Sequence, residues 1–294
     1  MAELDYSVVD VFTDTPLRGN PLAVVMDTAG LATERMQAIA REFNLSETTF
    51  IQRRAPEMER AEGVRVRIFT TREELNFAGH PTLGTASVLR LNAPDTVFDS
   101  TITLALNVGP VPVRFEAEGL FGKMTQPEPR FGEVLDAAQV AELIGLSIDD
   151  LDPALPPRSV STGTAFAIVP LRSAEALGRL RVNQEQATAW LRAHGARWFY
   201  VLGPTGDANP AWRARMQFNG GEDPATGSAA GCAISYLVFG GAVSPGQTVH
   251  LRQGVEIGRP SEMFLSAQRE SSRVFDVGVA GSTVLVATGK LFLP

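Results

Sequence analysis

Two phrases half a chain apart say nearly the same thing. GHPTLGTASVL begins at Gly79 and EDPATGSAAGCAI at Glu222. Set against each other from His80 and Asp223, they match Pro81 with Pro224, Gly84 with Gly227, Thr85 with Ser228 and Ala86 with Ala229. Every pair is 143 positions apart, as 223 is from 80, in a chain of 294 residues long enough for two ordinary domains. Each copy reads polar, Pro, two variable positions, Gly, Thr or Ser, Ala, and then opens on an apolar run. Proline suits the first turn of a helix, and an acceptor side chain just before it caps the exposed N–H groups. Glycine lets a ligand or a neighbouring backbone come close. Two like domains are expected, each turning a helix N-terminus with its unpaired donors and positive dipole end into one cleft. Such a cleft suits a small organic anion, a carboxylate above all, with His80 and Asp223 near the same ligand. Two capped helices alike by chance are the competing explanation.

The rest of the chain predicts an α+β fold. YSVVDVF (6–12) and PLAVVMD (21–27) are β-branched strands around the turn residues TDTPLRGN. ATERMQAIAREFN spaces Met36, Ile39, Ala40 and Phe43 for a helix, with Thr33 as its cap and Asn44 as its stop. Strands follow at 48–53 and 64–70, the second cleanly alternating, then a helix at 80–91 and strand character over 102–116. FGKMTQPEPRFGE (121–133) is the best boundary. The predicted domains are 1–120, completed by a strand at about 281–294, and 121–280. The second repeats the grammar: helices at 136–145 and 184–194, strands at 159–170, 197–202 and 212–218, and the loop and helix of 222–239. No G-x-G-x-x-G follows the first strand, so a Rossmann domain is not expected.

Bulk composition removes several classes of function. A net charge of −7 argues against a general nucleic-acid or membrane-surface binder. No apolar run reaches the roughly 18 residues that span a bilayer, and MAELDYSVVDVF is not read as a signal peptide. The single cysteine, Cys232, forms no internal disulfide and fits a reducing compartment, so a cytoplasmic protein is expected. Only Lys123 and Lys290 could form a Schiff base, and neither sits in a recognisable motif. His80, His194 and His250 lack metal-ligand spacing, no P-loop is present, and GSAAG is not the nucleophile elbow of hydrolases. Ser228 reads as a helix-start hydroxyl and anion ligand ahead of a nucleophile, and Cys232 as a buried small residue ahead of one. NLSETTF supplies a candidate base: Glu47 stands where a helix ends and a strand begins, and burial there would raise its pKa toward a proton-transfer value.

Taken together, VVDVFTDTPLRGNPLAVV, ERMQAIAREFNLSETTF, VRIFTTREELNFAGHPTLGTA, WRARMQF, EDPATGSAAG and LRQGVEIGRPSEM resemble segments of the PhzF family in family order. The resemblance implies a diaminopimelate-epimerase-like fold of two pseudo-repeated domains, each a curved sheet around a central helix, with the active site between them. It also implies a homodimer that needs no cofactor. The activity implied is isomerisation by proton transfer on a small carboxylate, as on trans-2,3-dihydro-3-hydroxyanthranilate. The family's proton-shuttling glutamate falls on Glu47, its substrate-binding histidine and aspartate on His80 and Asp223, and its carboxylate contacts on Gly79, Gly227 and Ser228. One departure concerns MQFNGGEDPATG, which is shorter before its acidic residues than in typical members, so the substrate is open. Two alternatives stand beside this one: a PhzF-like module that binds a small molecule or a protein without turnover, and an epimerase using a thiol from each half. The single cysteine argues against the second.

Overall fold

The computed structural model describes residues 2–92, 100–207 and 211–293, and its class is the expected α+β. The chain divides into two units, Met1–Thr125 with Ala280–Pro294, and Gln126–Val279. In the first, β1 (Ala2–Val11) runs antiparallel to β2 (Asn20–Val25), and α1 (Thr33–Phe43) returns the chain so that β3 (Glu47–Gln52) lies parallel to β2. After α2 (Pro56–Glu62), β4 (Val64–Phe69) runs antiparallel to β3 and carries the short β5 (Glu74–Leu75). The central helix α3 (Gly79–Asn92) then leads to β6 (Thr101–Leu106), parallel to β4, and on to β7 (Gly109–Phe115) and β8 (Gly122–Gln126), both antiparallel.

The second unit repeats these pairings. From β9 (Arg130–Val134) and α4 (Ala137–Ile144) the chain enters β10 (Arg158–Ser161) and β11 (Ala165–Pro170), an antiparallel pair. Helix α5 (Gln184–Ala193) brings β12 (Trp198–Pro204) parallel to β11, and β13 (Trp212–Arg215) is antiparallel to β12. A short hairpin, β14 (Gln217–Phe218) and β15 (Gly221–Glu222), precedes the second central helix, α6 (Gly227–Phe239). Beyond it, β16 (Val249–Gln253) lies parallel to β13, with β17 (Ser261–Glu270) antiparallel to β16 and β18 (Arg273–Gly281) beside β17. The last strand, β19 (Thr283–Leu293), pairs antiparallel with β1; Pro294 of the predicted 281–294 strand lies outside the described residues.

Both central helices are buried on every side, from Gly79 to Leu89 and from Gly227 to Val238, as a helix wrapped by a curved sheet must be. Helix α3 packs on β1, β2, β3, β6, β7 and β19. A Cβ on Gly84 would meet the side chains of Leu22 and Val11 at 2.7 Å each, so the close approach of α3 to β1 and β2 requires glycine there. The alternation read in β4 is found: Val64, Val66 and Ile68 are buried and Arg65 and Arg67 are not.

Three local expectations are corrected. Thr33 does not cap α1 but is its first residue after Ala32, and its hydroxyl accepts from Arg67 Nη1 at 3.1 Å. Asn44 does end α1, with φ 51° and its N–H on Ala40 O. His80 is not a cap ahead of a helix but the second residue of α3. Pro224 lies outside α6, because Gln253 Nε2 and Ser261 Oγ claim the carbonyls of Asp223 and Pro224, at 2.8 and 2.9 Å. The first carbonyl bonded into α6 is that of Thr226. The helix starts therefore set Gly79 against Gly227, 148 positions apart, five more than in the phrase alignment.

Candidate active site

Glu47 opens β3, three residues past the left-handed turn at Asn44, in parallel register with Leu22. Its carboxylate is mostly buried, the side chain 17% exposed, and Oε2 stands 3.5 Å from Nε2 of His80, whose side chain is 5% exposed. Burial drives the His80 pKa down to about 3, with a hydrogen bond to the Pro21 backbone pulling the other way, so the ring is neutral. A neutral imidazole therefore faces the carboxylate, and its Nε2 finds no hydrogen-bond partner. The other ring nitrogen, Nδ1, lies 3.2 Å from the amide nitrogen of Asn20. Asn20 is fully buried at the head of β2. The loop that delivers it is tight: Gly19 has φ 66°, and a Cβ there would sit 2.4 Å from Val11 O. The buried Phe12 at its start also has a positive φ, 64°, a conformation that costs a bulky residue energy.

In the second unit the predicted residues form a separate, tightly bonded corner. Asp223 is buried, its N–H on Met216 O and its Oδ2 accepting from Thr226 Oγ1 at 2.7 Å. Gln253 knits this together: Nε2 donates to Asp223 O and to Thr226 Oγ1, while Oε1 accepts from Thr226 N and, at 3.0 Å, from Tyr200 OH. Burial first, then the charges of Asp223 and Cys232, raise the Tyr200 phenol well above its ordinary range, so it remains a donor. Gly227 and Ser228 are the first two residues of α6, and helix geometry leaves their N–H groups outside the internal ladder.

Just upstream, Arg215 grips Glu222 through two parallel bonds, Nε to Oε1 at 2.9 Å and Nη2 to Oε2 at 2.6 Å, both side chains 6% exposed. Burial works to lower the Arg215 pKa, but the Glu222 bond and the charges of Glu222 and Glu256 outweigh it and raise the pKa. The short stretch before the acidic residues closes as a hairpin turning on Asn219 and Gly220, with φ 110° at Gly220.

The structure thus brings Glu47, His80 and Gly79 together in one unit and Asp223, Gly227 and Ser228 in the other. Sequence reasoning missed Asn20, Thr226, Gln253, Tyr200 and the Arg215–Glu222 clamp. Cys232 is fully buried, and burial pushes its thiol up to about 11, against a hydrogen bond from Thr162, so it is inert. His194 caps the end of α5, stacked on Trp190, and His250 bonds Glu262. Among the described residues no cluster of three or more His, Cys, Asp or Glu side chains is placed to hold a metal ion, and no helix is long and apolar enough to cross a membrane.

Residues 9–289 match the family described as phenazine biosynthesis-like protein, PhzC-PhzF. A trans-2,3-dihydro-3-hydroxyanthranilate isomerase from Pseudomonas aeruginosa is 36% identical over 297 residues, covering 98% of this chain and 99% of that protein. Among solved structures, the PhzF-family phenazine biosynthesis protein of Bacillus anthracis superposes with a TM-score of 0.87 at 26% identity, covering all of both chains. A predicted epimerase from Pseudomonas aeruginosa superposes with a TM-score of 0.82 at 36% identity, covering 99% of this chain and all of that one.

Proposed function

We propose, from the premise that this chain belongs to the phenazine biosynthesis-like PhzF family and is an isomerase of it, that it moves one proton within a small cyclic or amino-acid-like carboxylate without a cofactor. Glu47 takes a proton from one carbon, the electron pair of the broken C–H bond enters the adjoining double-bond system, and the same carboxyl returns the proton to a second carbon on that face. A double bond shifts and no oxidant or reductant is consumed. His80 and Asp223 hold and polarise the amino and hydroxyl groups of the substrate. The helix-start groups at Gly79, Gly227 and Ser228 hold its carboxylate.

The observation that carries this reading is the largely buried Glu47 carboxylate beside a neutral, buried imidazole, a setting that excludes water and leaves the carboxylate as the proton carrier. A two-thiol epimerase is disfavoured because the one cysteine of the sequence is buried and its thiol is held protonated. The relative from Pseudomonas aeruginosa names the first compound to test, trans-2,3-dihydro-3-hydroxyanthranilate, beside a panel of small amino and hydroxy carboxylates.

In D2O a true substrate exchanges a carbon-bound proton and isomerises. Glu47→Gln should lower that exchange by about 10²-fold or more while leaving the thermal shift on ligand binding intact. Undiminished exchange in this variant would remove Glu47 from the mechanism, and binding without any exchange in the parent would point to a non-catalytic binding module.

A further inference from the structure

We propose that Gln253, acting through the Thr226 hydroxyl, is a positioning residue that holds the Asp223 carboxyl group with Oδ2 as a hydrogen-bond acceptor. Gln253 is fully buried, and both protons and both lone pairs of its amide are engaged. Two of the partners are backbone groups, and they admit one amide orientation only. The N–H of Thr226 can only donate, so the atom 3.2 Å from it is the oxygen, Oε1. The carbonyl of Asp223 can only accept, so the atom 2.8 Å from it is the nitrogen, Nε2. The second Nε2 proton then meets Thr226 Oγ1 at 3.0 Å, and the second Oε1 lone pair takes the Tyr200 hydroxyl. Thr226 is buried as well. With a donor already on its oxygen, its own proton goes to Asp223 Oδ2 at 2.7 Å. Every proton from Tyr200 to Asp223 is thereby placed, and turning any one member strands a sealed polar group.

This assignment rests on the reading of Asp223 as a substrate-handling group, and it deepens that reading. A proton on Oδ2 would face the Thr226 hydroxyl proton head-on, so Oδ2 stays bare and the carboxyl is oriented before any ligand arrives. Asp223 then meets an amino or hydroxyl group of the substrate as an acceptor of fixed direction. The chain is shaped to deliver Gln253 to this place. It is the last residue of β16, and Gly254 follows it with φ 79°. A Cβ on Gly254 would stand 2.3 Å from Arg259 O and 2.7 Å from Pro224 O, so only glycine lets the strand end so close to the Asp223–Pro224 backbone.

The test sets Thr226→Val, which keeps the branched shape without the hydroxyl, against Thr226→Ser, which keeps the hydroxyl. The substrate is a small carboxylate that the parent isomerises, with trans-2,3-dihydro-3-hydroxyanthranilate tried first. Thr226→Val should lower kcat/KM for proton exchange about tenfold, whereas Thr226→Ser should stay within about threefold of the parent. Gln253→Met should match Thr226→Val, and the double variant should lose no more than either, because both act on one carboxyl. In an Asp223→Ala background, Thr226→Val should change exchange by less than about twofold. Losses that multiply in the double variant, or that persist in full without the Asp223 carboxyl, would overturn the proposal, since the network would then only prop up the fold. A second measurement needs no substrate. In the 15N-labelled full chain, the Gln253 side-chain amide should exchange with D2O at least about 10²-fold more slowly than exposed glutamine amides. Thr226→Val should move one of its two proton signals and leave the other in place. Exchange as fast as at exposed glutamines, or two signals indifferent to Thr226→Val, would sink the relay even where Gln253→Met fails to fold. If Asp223→Ala isomerises like the parent, the reading of Asp223 as a substrate-handling group fails, and the amide signals still decide the relay.

Discussion

Each unit grips a glutamate with an arginine seven positions upstream and starts its central helix on a glycine five positions after that glutamate. The three residues are Arg67, Glu74 and Gly79 in the first unit, and Arg215, Glu222 and Gly227 in the second. The residue after the glycine is His80 in one and Ser228 in the other. The frame is common and its surroundings are not. Arg67 and Glu74 keep side-chain exposures of 16% and 23%, while Arg215 and Glu222 keep 6% each, with Arg215 also bonded to Leu177 O. In the first unit the polar feature sealed from water is a neutral ring, and in the second it is an ion pair. Burial decides how much each costs to disturb.

The largest effect should come from that ion pair. Glu222→Gln leaves the Arg215 charge buried without its full partner, which typically costs about 3–5 kcal/mol. Glu74→Gln, at the less deeply buried pair, should cost less, about 1.5 kcal/mol. All three tryptophans, Trp190, Trp198 and Trp212, lie in the second unit, so the fall in urea midpoint for Glu222→Gln should show in their fluorescence. Far-UV circular dichroism reads both units and gives the Glu74→Gln shift. Equal shifts for the two variants would break the distinction drawn from burial.

Protonation separates the units next. His80 binds a proton near pH 3 when folded and near 6.5 when unfolded. Between those values the unfolded chain holds the extra proton, so stability rises with pH and is lost on acidification at about 1.4 kcal/mol per pH unit. By pH 5 the loss from this group is roughly 2 kcal/mol. Urea titrations at pH 7 and pH 5 should show a smaller acid loss for His80→Gln than for the parent, by about that amount. An identical loss would mean that the folded ring titrates normally. The second unit is sensitive at the other end. The Tyr200 phenol, raised by burial and then by Asp223, keeps its proton when folded, whereas the unfolded phenol ionises near pH 10, so stability falls as pH rises beyond that. Tyr200→Phe should flatten the alkaline decline seen by tryptophan fluorescence.

Much of this frame is legible in the sequence, since strand alternation, the stop at Asn44 and the two buried helices follow from periodicity and turn chemistry. Helix α2 is not. PEMERAE has no apolar stripe, Met58 is 45% exposed, and the helix is pinned instead by Glu59, which accepts from Arg53 and from the N–H of Arg54. Asn20 hides for another reason. Between Gly19 and Pro21 it reads as a turn residue, and its partner is 60 positions away, a distance no local pattern spans. The register of the repeat was misread because proline and the small residues align as letters, whereas the helix start is set by Gln253 and Ser261, which arrive from β16 and β17.

That misreading supplies the finest test. The phrases align Thr85 with Ser228, yet the fold puts Thr85 mid-helix and Ser228 in a first turn. Thr85 Oγ1 donates to Thr49 Oγ1 at 2.8 Å, both residues fully buried, so Thr85→Val strips a partner from a sealed hydroxyl and should cost about 1–2 kcal/mol. Ser228→Ala removes a buried hydroxyl at a helix start and should cost less than Thr85→Val, about 0.5 kcal/mol, its loss appearing instead in carboxylate binding. If the two variants destabilise the chain alike, the letter alignment describes these positions better than the helix register does. If Thr85→Val costs more, the hydroxyl of the first unit ties its core together, and that of the second is left for a ligand.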